Sequence, residues 1–196
     1  MSETKLTEDQ AIQRAIERDP ESYRFLLKKY NAYAFSIAVK ILKNREDAEE
    51  VVQDSFCKAF KALKNFNRAG KFSTWFYKIV YNTALTRIRN KKVLMDSLEE
   101  FPESNRDFDI PDNYISSFEK LVHADQAAHL KKALTVLTES ENLAITLYYT
   151  CENTIVEIEA ITGWNPSTIK IRLFRARQKL YTELSRQLNE EITELL

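Results

Sequence analysis

The most basic stretch in the second half of the chain lies between Asn165 and Thr182, where no acidic residue occurs. Its apolar residues recur at intervals of three and four, which predicts a helix with one buried face: Ile169, Leu173, Ala176, Leu180 and Leu184. The remaining surface carries polar and basic side chains: Ser167, Thr168, Lys170, Arg172, Arg175, Arg177 and Lys179. Such a face can neutralise DNA phosphates and bring the first residues of the helix to base edges.

The residues before this helix have the pattern of a helix-turn-helix. Thr154 and Glu157 form a capping box for a short helix, and Gly163 can end that helix in the left-handed conformation. Asn165 and Pro166 then begin the second helix. The pattern favours DNA binding over the alternative, a solvated basic face on an ordinary bundle helix.

A second basic stretch, residues 71–92, interleaves cations with aromatic rings and also has no acidic residue. This composition suits single-stranded nucleic acid, whose bases stack on rings while cations follow the backbone. At helical spacing, however, most of the rings must lie in the core, and we assign Trp75, Phe76 and Val80 to it. The same periodicity makes Leu85 a packing residue of this helix. The pattern leaves Tyr77 and Tyr81 open between core and surface.

An acidic helix face precedes this stretch, in residues 47–60, with the sequence DAEEVVQDSFCKAF. Asp47, Glu50 and Asp54 share that face, beside an apolar stripe that includes Val51 and Val52. By itself the pattern favours a solvated face, which is common on surface helices, over the alternative of a docking surface for a basic partner.

The elements that must position these residues are helices, because the chain has only two glycines and four prolines. Apolar periodicity and caps predict helices over about 8–18, 20–30, 32–42, 45–64, 73–90, 116–137, 139–150, a short one after Thr154, and 166–188. The other predicted caps are Thr7, Asp19, Asn44, Ser73 and Thr138. The charge balance is +8 for residues 1–95, −7 for 96–127 and −1 for 128–196. We therefore predict an all-α chain with helical domains at 1–95 and 128–196, joined by a flexible acidic linker at 96–127 that leads into the first helix of the second domain.

Together these segments resemble the extracytoplasmic-function (ECF) sigma factors, the smallest members of the sigma-70 family. DAEEVVQDSFCKAF is similar to the family's polymerase-binding helix, and FSTWFYKIVYNTALTRIR to the segment that recognises and melts the −10 promoter element. TIVEIEAITGWNPSTIKIRLFRARQKL is similar to the helix-turn-helix that reads the −35 element. The three motifs occur in the family's order.

The resemblance implies a role for individual residues. Docking on core RNA polymerase would use Asp47, Glu50, Gln53 and Asp54. The −10 element would be captured and contacted by Asn65, Phe66, Asn67, Arg68, Lys71, Phe72, Lys78, Asn82, Arg87 and Arg89, with a flipped base held at the break over residues 65–72. The −35 duplex would be read by Ser167, Thr168, Lys170, Ile171, Arg172, Arg175 and Lys179. An anti-sigma factor is a further expected partner.

Other functions have less support in the sequence. A helix-turn-helix regulator that binds duplex DNA without polymerase would explain residues 138–188 but would give the basic-aromatic helix no role. A helical adaptor that binds only protein would give neither basic face a role. We expect no enzyme, cofactor or metal site, because His123 and His129 have no cysteine or carboxylate cluster beside them. Cys57 and Cys151 lie far apart and the chain has no long apolar run, so we expect a cytoplasmic protein.

Overall fold

The computed structural model describes residues 6–96 and 124–194, with side chains over 6–91 and 128–189. Eight α-helices make up this part of the chain, and it contains no strand: α1 (Glu8–Ile16), α2 (Pro20–Leu42), α3 (Arg45–Ala62), α4 (Phe72–Asp96), α5 (Ala124–Leu134), α6 (Glu139–Ile145), α7 (Ile155–Thr162) and α8 (Pro166–Glu194). A 3-10 turn at Leu63–Asn65 follows α3, and a π-helical turn at Thr146–Thr150 follows α6. The predicted all-α class is confirmed.

Side-chain caps set the beginnings of most helices, as the sequence predicts. Thr7, Thr138 and Thr154 each form a complete capping box with the residue three positions later. Asp19 and Asn44 accept hydrogen bonds from backbone amides in the first turns of α2 and α3. These contacts span three residues, so they satisfy the free amides of a helix start without help from the rest of the fold.

Several helix bounds differ from the sequence prediction, and those of α2, α4 and α8 show it most clearly. The helices expected over 20–30 and 32–42 are one helix, α2, because no proline or glycine interrupts the chain between Pro20 and Leu42. Helix α4 begins at Phe72, so Ser73 lies inside its first turn rather than at its cap. Helix α8 continues to Glu194, beyond the predicted end near residue 188.

Aromatic rings fill the core between α2, α3 and α4. The Phe56 and Phe76 ring centroids are 4.4 Å apart, and those of Tyr30 and Phe72 are 5.2 Å apart. Phe76 and Val80 are buried as predicted, and Tyr77 is buried with them. Burying several large rings removes a large apolar area from water and fixes how the three helices cross.

Two of the predicted packing residues of α4 were assigned wrongly. Trp75 is only half-buried, since its ring covers the rim of the core beside Phe66. Leu85 is 42% exposed, because α4 turns that position away from α2 and α3. Tyr81, which the sequence left open, is buried.

Helices α5–α8 bury a separate set of apolar side chains. Ile169, Leu173 and Ala176 of α8 are buried as predicted, whereas Leu180 and Leu184 of the same predicted face are only half-buried. The three buried residues belong to a core that also contains Leu143, Leu147, Ile158 and Ile161. Gly163 ends α7 in the left-handed region, with φ at +74°, as predicted from its position.

The chain divides into two compact units, one within residues 1–108 and the other within 109–196. The predicted linker, residues 96–127, lies outside the described residues except at its ends, where Asp96 ends α4 and Ala124 begins α5. The domain bounds at 95 and 128 therefore stay predictions. Within the described residues, no helix has the length and apolar character needed to cross a membrane.

Candidate nucleic-acid interface

The acidic face of α3 divides into a buried and an exposed part. Asp47 is only 8% exposed, and its carboxylate accepts hydrogen bonds from Arg87 at 3.0 and 3.2 Å and from Lys91 of α4. Glu50 pairs with the same Arg87 guanidinium but keeps 55% of its side chain exposed. Gln53 and Asp54 are exposed on the next turn. A partner can therefore reach Glu50, Gln53 and Asp54, whereas Arg87 and Lys91 cover Asp47.

Asp47, Glu50, Arg87 and Lys91 form an ion cluster in which the Asp47 carboxyl group stays ionised at neutral pH. Burial by itself would raise the pKa of Asp47, but the hydrogen bonds from Lys91 and Arg87 outweigh burial and hold that pKa below its usual value. The pKa of Arg87 is raised, first by its hydrogen bond to Glu50 and then by the one to Asp47. The cluster thus ties the beginning of α3 to the second half of α4.

Three of the predicted −10 contacts share one exposed face of α4. Lys78, Asn82 and Arg89 are spaced by four and seven residues, so they lie on one side of the helix, and all three are exposed. Leu85 lies between them on the same face, and sequence reasoning missed it because the periodicity placed Leu85 in the core. Arg87 lies on a different side, within the ion cluster.

A short loop, residues 66–71, connects the 3-10 turn to α4. The Phe66 ring packs against Phe72 and Trp75 with centroid distances of 5.7 and 5.3 Å. Asn67 accepts a hydrogen bond through its side chain from the Ala69 amide at 3.1 Å. The tip of the loop, residues 67–71, is exposed.

The end residues of the predicted break lie outside this loop. Asn65 belongs to the 3-10 turn, where it is exposed. Phe72 is 2% exposed within the aromatic core, so its ring is not available to stack on a base. The prediction of Phe72 as a DNA contact is therefore withdrawn, because the side chain is needed to join α4 to α2.

Arg68, at the tip of this loop, has a backbone conformation that is unusual for its residue type. Its φ is +57°, in the left-handed region that non-glycine residues seldom adopt. Its guanidinium donates a hydrogen bond to the side-chain oxygen of Gln13 on α1, 55 positions earlier in the chain. Sequence reasoning gave no role to Gln13, because nothing in the local pattern connects the two residues.

The first turn of α8 presents polar groups to solvent. Asn165 caps the helix by accepting a hydrogen bond from the Thr168 amide at 2.7 Å. Ser167, Lys170 and Arg175 are exposed, and Ile171 is 49% exposed. These residues project from the helix that follows the Gly163 turn, which is the position of the reading helix in helix-turn-helix proteins.

Other cations of α8 have partners within the same unit. The Arg172 guanidinium lies 3.8 Å from the centre of the Trp164 ring. Lys179 forms an ion pair at 2.7 Å with the buried carboxylate of Glu141. Arg177 donates a hydrogen bond to the Tyr149 hydroxyl at 2.8 Å. Lys179 is thus directed towards α6, while Arg172 extends across the Trp164 ring beside the exposed first turn of α8.

The structure also shows the environment of Phe174 and His129, two other side chains of the second unit. Phe174, whose position the sequence did not decide, is 57% exposed. His129 is hydrogen-bonded through Nδ1 to Gln187 at 2.8 Å. Within the described residues, no group of three or more His, Cys, Asp or Glu side chains could hold a metal ion.

Known families match both units. The family model of Sigma-70 region 2 matches residues 26–93, and that of Sigma-70 region 4 matches residues 129–180. The chain is 28% identical over 194 residues to the ECF RNA polymerase sigma-E factor of Haemophilus influenzae, covering 92% of this chain and 96% of that protein. It is 26% identical over 182 residues to the ECF RNA polymerase sigma factor SigW of Bacillus subtilis, covering 88% and 94%.

Two solved structures share the fold. The sigma factor RpoE, solved with the anti-sigma factor NepR from Bartonella quintana, has a TM-score of 0.60 and 22% identity, over 84% of this chain and 98% of that one. CnrH, solved with the cytosolic domain of CnrY, has a TM-score of 0.57 and 20% identity, over 90% and 96%.

Proposed function

The chain belongs to the ECF sigma factors of the sigma-70 family, and we infer that it binds core RNA polymerase and directs it to promoters with a −35 and a −10 element. It is a DNA-binding initiation factor and not an enzyme. The observation that supports the proposal is that two polar and basic helix faces are exposed in one chain. They consist of Lys78, Asn82 and Arg89 on α4, and of Ser167, Lys170 and Arg175 on α8.

We propose that polymerase docks on the exposed part of the acidic face of α3. Glu50, Gln53 and Asp54 are accessible there and present two carboxylates within one turn. A basic partner surface would gain charge-assisted hydrogen bonds from them. Asp47 would support this face from beneath, because its carboxylate is already engaged by Arg87 and Lys91.

The −10 element would be opened and held by the loop 66–71 and the exposed face of α4. A base that leaves the stack loses a few kcal/mol of stacking energy, so the protein must offer it a fixed pocket. Asn67, Arg68 and Lys71 provide polar and cationic groups at the loop tip, and Lys78, Asn82 and Arg89 would follow the strand. Arg87 would contribute through the positive field of α4, since its own hydrogen bonds go to Asp47 and Glu50.

The first turns of α8 would enter the major groove of the −35 duplex. Ser167, Thr168 and Lys170 can approach base edges, and Ile171 offers an apolar surface to a thymine methyl group. Arg172 and Arg175 would neutralise phosphates. Lys179 would act from further back, as a cation held by Glu141.

Control by an anti-sigma factor is a further proposal. The related RpoE was solved with the anti-sigma factor NepR, and CnrH with the cytosolic domain of CnrY. We extend such a partner to this chain, and place the chain in the cytoplasm, where core polymerase and promoter DNA are found.

The test is transcription in vitro from fragmented genomic DNA, with core polymerase from the source bacterium and sequencing of RNA 5′ ends. The proposal expects new starts that depend on this protein and share two upstream sequence blocks. Absence of new starts with an active core enzyme would overturn it and favour a regulator that binds duplex DNA alone.

A charge-reversal pair tests the docking surface. Asp54→Lys should abolish most of the new starts by repelling a basic partner. Glu17→Lys makes the same charge change at an exposed position at the end of α1, outside α3, and should retain them. Equal losses from both substitutions would show that the effect does not depend on this face.

A further inference from the structure

We propose that Gln13 of α1 is a positioning residue for promoter recognition, which holds the loop 66–71 in its base-capturing shape through Arg68. This inference rests on the proposed function and adds a determinant outside the three sequence motifs. Neither family match includes Gln13, since the first begins at residue 26.

The backbone of Arg68 needs an external constraint. A non-glycine residue at φ +57° is less stable than the same residue in the right-handed region, and such conformations persist where surrounding contacts hold them. Within the loop, the Asn67 side chain already accepts the Ala69 amide at 3.1 Å. A Cβ added at Gly70 would meet no atom within 4 Å, so packing there does not fix the tip. The Arg68 side chain is a point at which the tip is held by another helix, α1.

Gln13 is well placed to supply that constraint. Its neighbours Ala11, Ile12 and Ala15 are buried, so α1 is fixed against the unit. Helix α1 also packs against α2 and the 3-10 turn from which the loop begins. The backbone at Gln13 therefore belongs to a fixed helix, from which the exposed side chain reaches Arg68.

The chemistry of the pair suits a cation that must also meet nucleic acid. A glutamine oxygen accepts one N–H from Arg68 and is neutral, so it orients the guanidinium without cancelling its charge. An arginine has five N–H donors, and the others stay available to a phosphate or a base edge. A glutamate at position 13 would orient Arg68 equally well but would compete with the phosphate.

The test measures base discrimination by the complete holoenzyme. The probe is a fork DNA with the promoter found by the transcription experiment, intact or abasic at the non-template −10 position. The ratio of the two affinities reports how well the loop holds the flipped base. The experiment compares the wild-type protein with Gln13→Ala, Arg68→Ala and the double variant. The matched control is Glu17→Ala, one helical turn beyond Gln13.

Gln13→Ala should lower this ratio about three- to tenfold, the range expected for loss of one hydrogen bond. Arg68→Ala should lower it at least as much, and adding Gln13→Ala to it should cause no further loss. Glu17→Ala should leave it at the wild-type value. Gln13→Glu should keep discrimination but weaken binding of intact and abasic DNA alike, which a purely structural role would not produce.

Two results would overturn the inference. If Gln13→Ala keeps the wild-type ratio while Arg68→Ala lowers it, Arg68 acts without Gln13. If the two single losses add in the double variant, the residues act independently. Wild-type protein that forms no holoenzyme with core polymerase would instead overturn the proposed function. A wild-type holoenzyme that starts transcription at the promoter but binds intact and abasic DNA equally would overturn this inference alone.

Discussion

Replacing Asp47 with asparagine should destabilise the first unit by about 2 kcal/mol. The substitution keeps the size of the side chain, so it creates no cavity. It removes the negative charge and replaces one of the two acceptor oxygens by an NH2 donor. A hydrogen bond to a charged group contributes about 1.5–3 kcal/mol, and the Asp47 carboxylate makes such bonds to both Arg87 and Lys91. Because those partners are 32% and 53% exposed, water recovers part of the loss.

The assay is urea unfolding of the full chain, observed through a tryptophan in the first unit. Trp75 and Trp164 are the only tryptophans, so a Trp164→Phe background makes the fluorescence report on Trp75 alone. A double-mutant cycle compares the free energies of unfolding of the wild type, Asp47→Asn, Arg87→Gln and the double variant. We expect a coupling free energy of about 1 kcal/mol between the two positions. A destabilisation below about 0.5 kcal/mol, with no coupling, would refute the ion cluster.

The pH dependence gives an independent check with a defined sign. The pKa of Asp47 is held below its ordinary value in the folded state, so the stabilisation is fully present above the unfolded pKa of 3.8 and is lost as pH falls through the lower folded value. The stability difference between wild type and Asp47→Asn should thus be constant from about pH 8 to 5 and shrink below about pH 4. A difference that grows on acidification would contradict this assignment.

Three further predictions concern the second unit. Glu141→Gln should destabilise it by about 1–2 kcal/mol, because the buried carboxylate loses its ion pair with Lys179; urea unfolding observed through Trp164 measures this. Gly163→Ala should cost about 1 kcal/mol through its φ of +74° alone, since a Cβ there meets no neighbour within 4 Å; a melting temperature equal to wild type would contradict the strain. Arg172→Ala combined with Arg175→Ala should weaken −35 duplex binding by holoenzyme and reduce its salt dependence by about two phosphate contacts; unchanged affinity would exclude α8 as the reading helix.

The sequence by itself determined the features that depend on neighbours three or four positions apart. The capping boxes at Thr138 and Thr154 and the left-handed end at Gly163 satisfy the helix ends locally, so composition and spacing were sufficient to predict them. The buried face of α8 followed from helical periodicity in the same way, with Ile169 and Leu173 as its first members. The three motifs then indicated the family, because each is a short continuous segment.

The tertiary structure alone decided which polar side chains are used within the fold. Asp47 is paired with Arg87 across 40 positions, Lys179 with Glu141 across 38, and Arg68 with Gln13 across 55. Such pairs form only when packed helices bring distant residues within hydrogen-bond reach, and no local spacing encodes that. Burial of the aromatic core likewise decided that Phe72 joins α4 to α2. Charge and periodicity predict which surface can meet DNA, whereas packing determines which of its residues are available to do so.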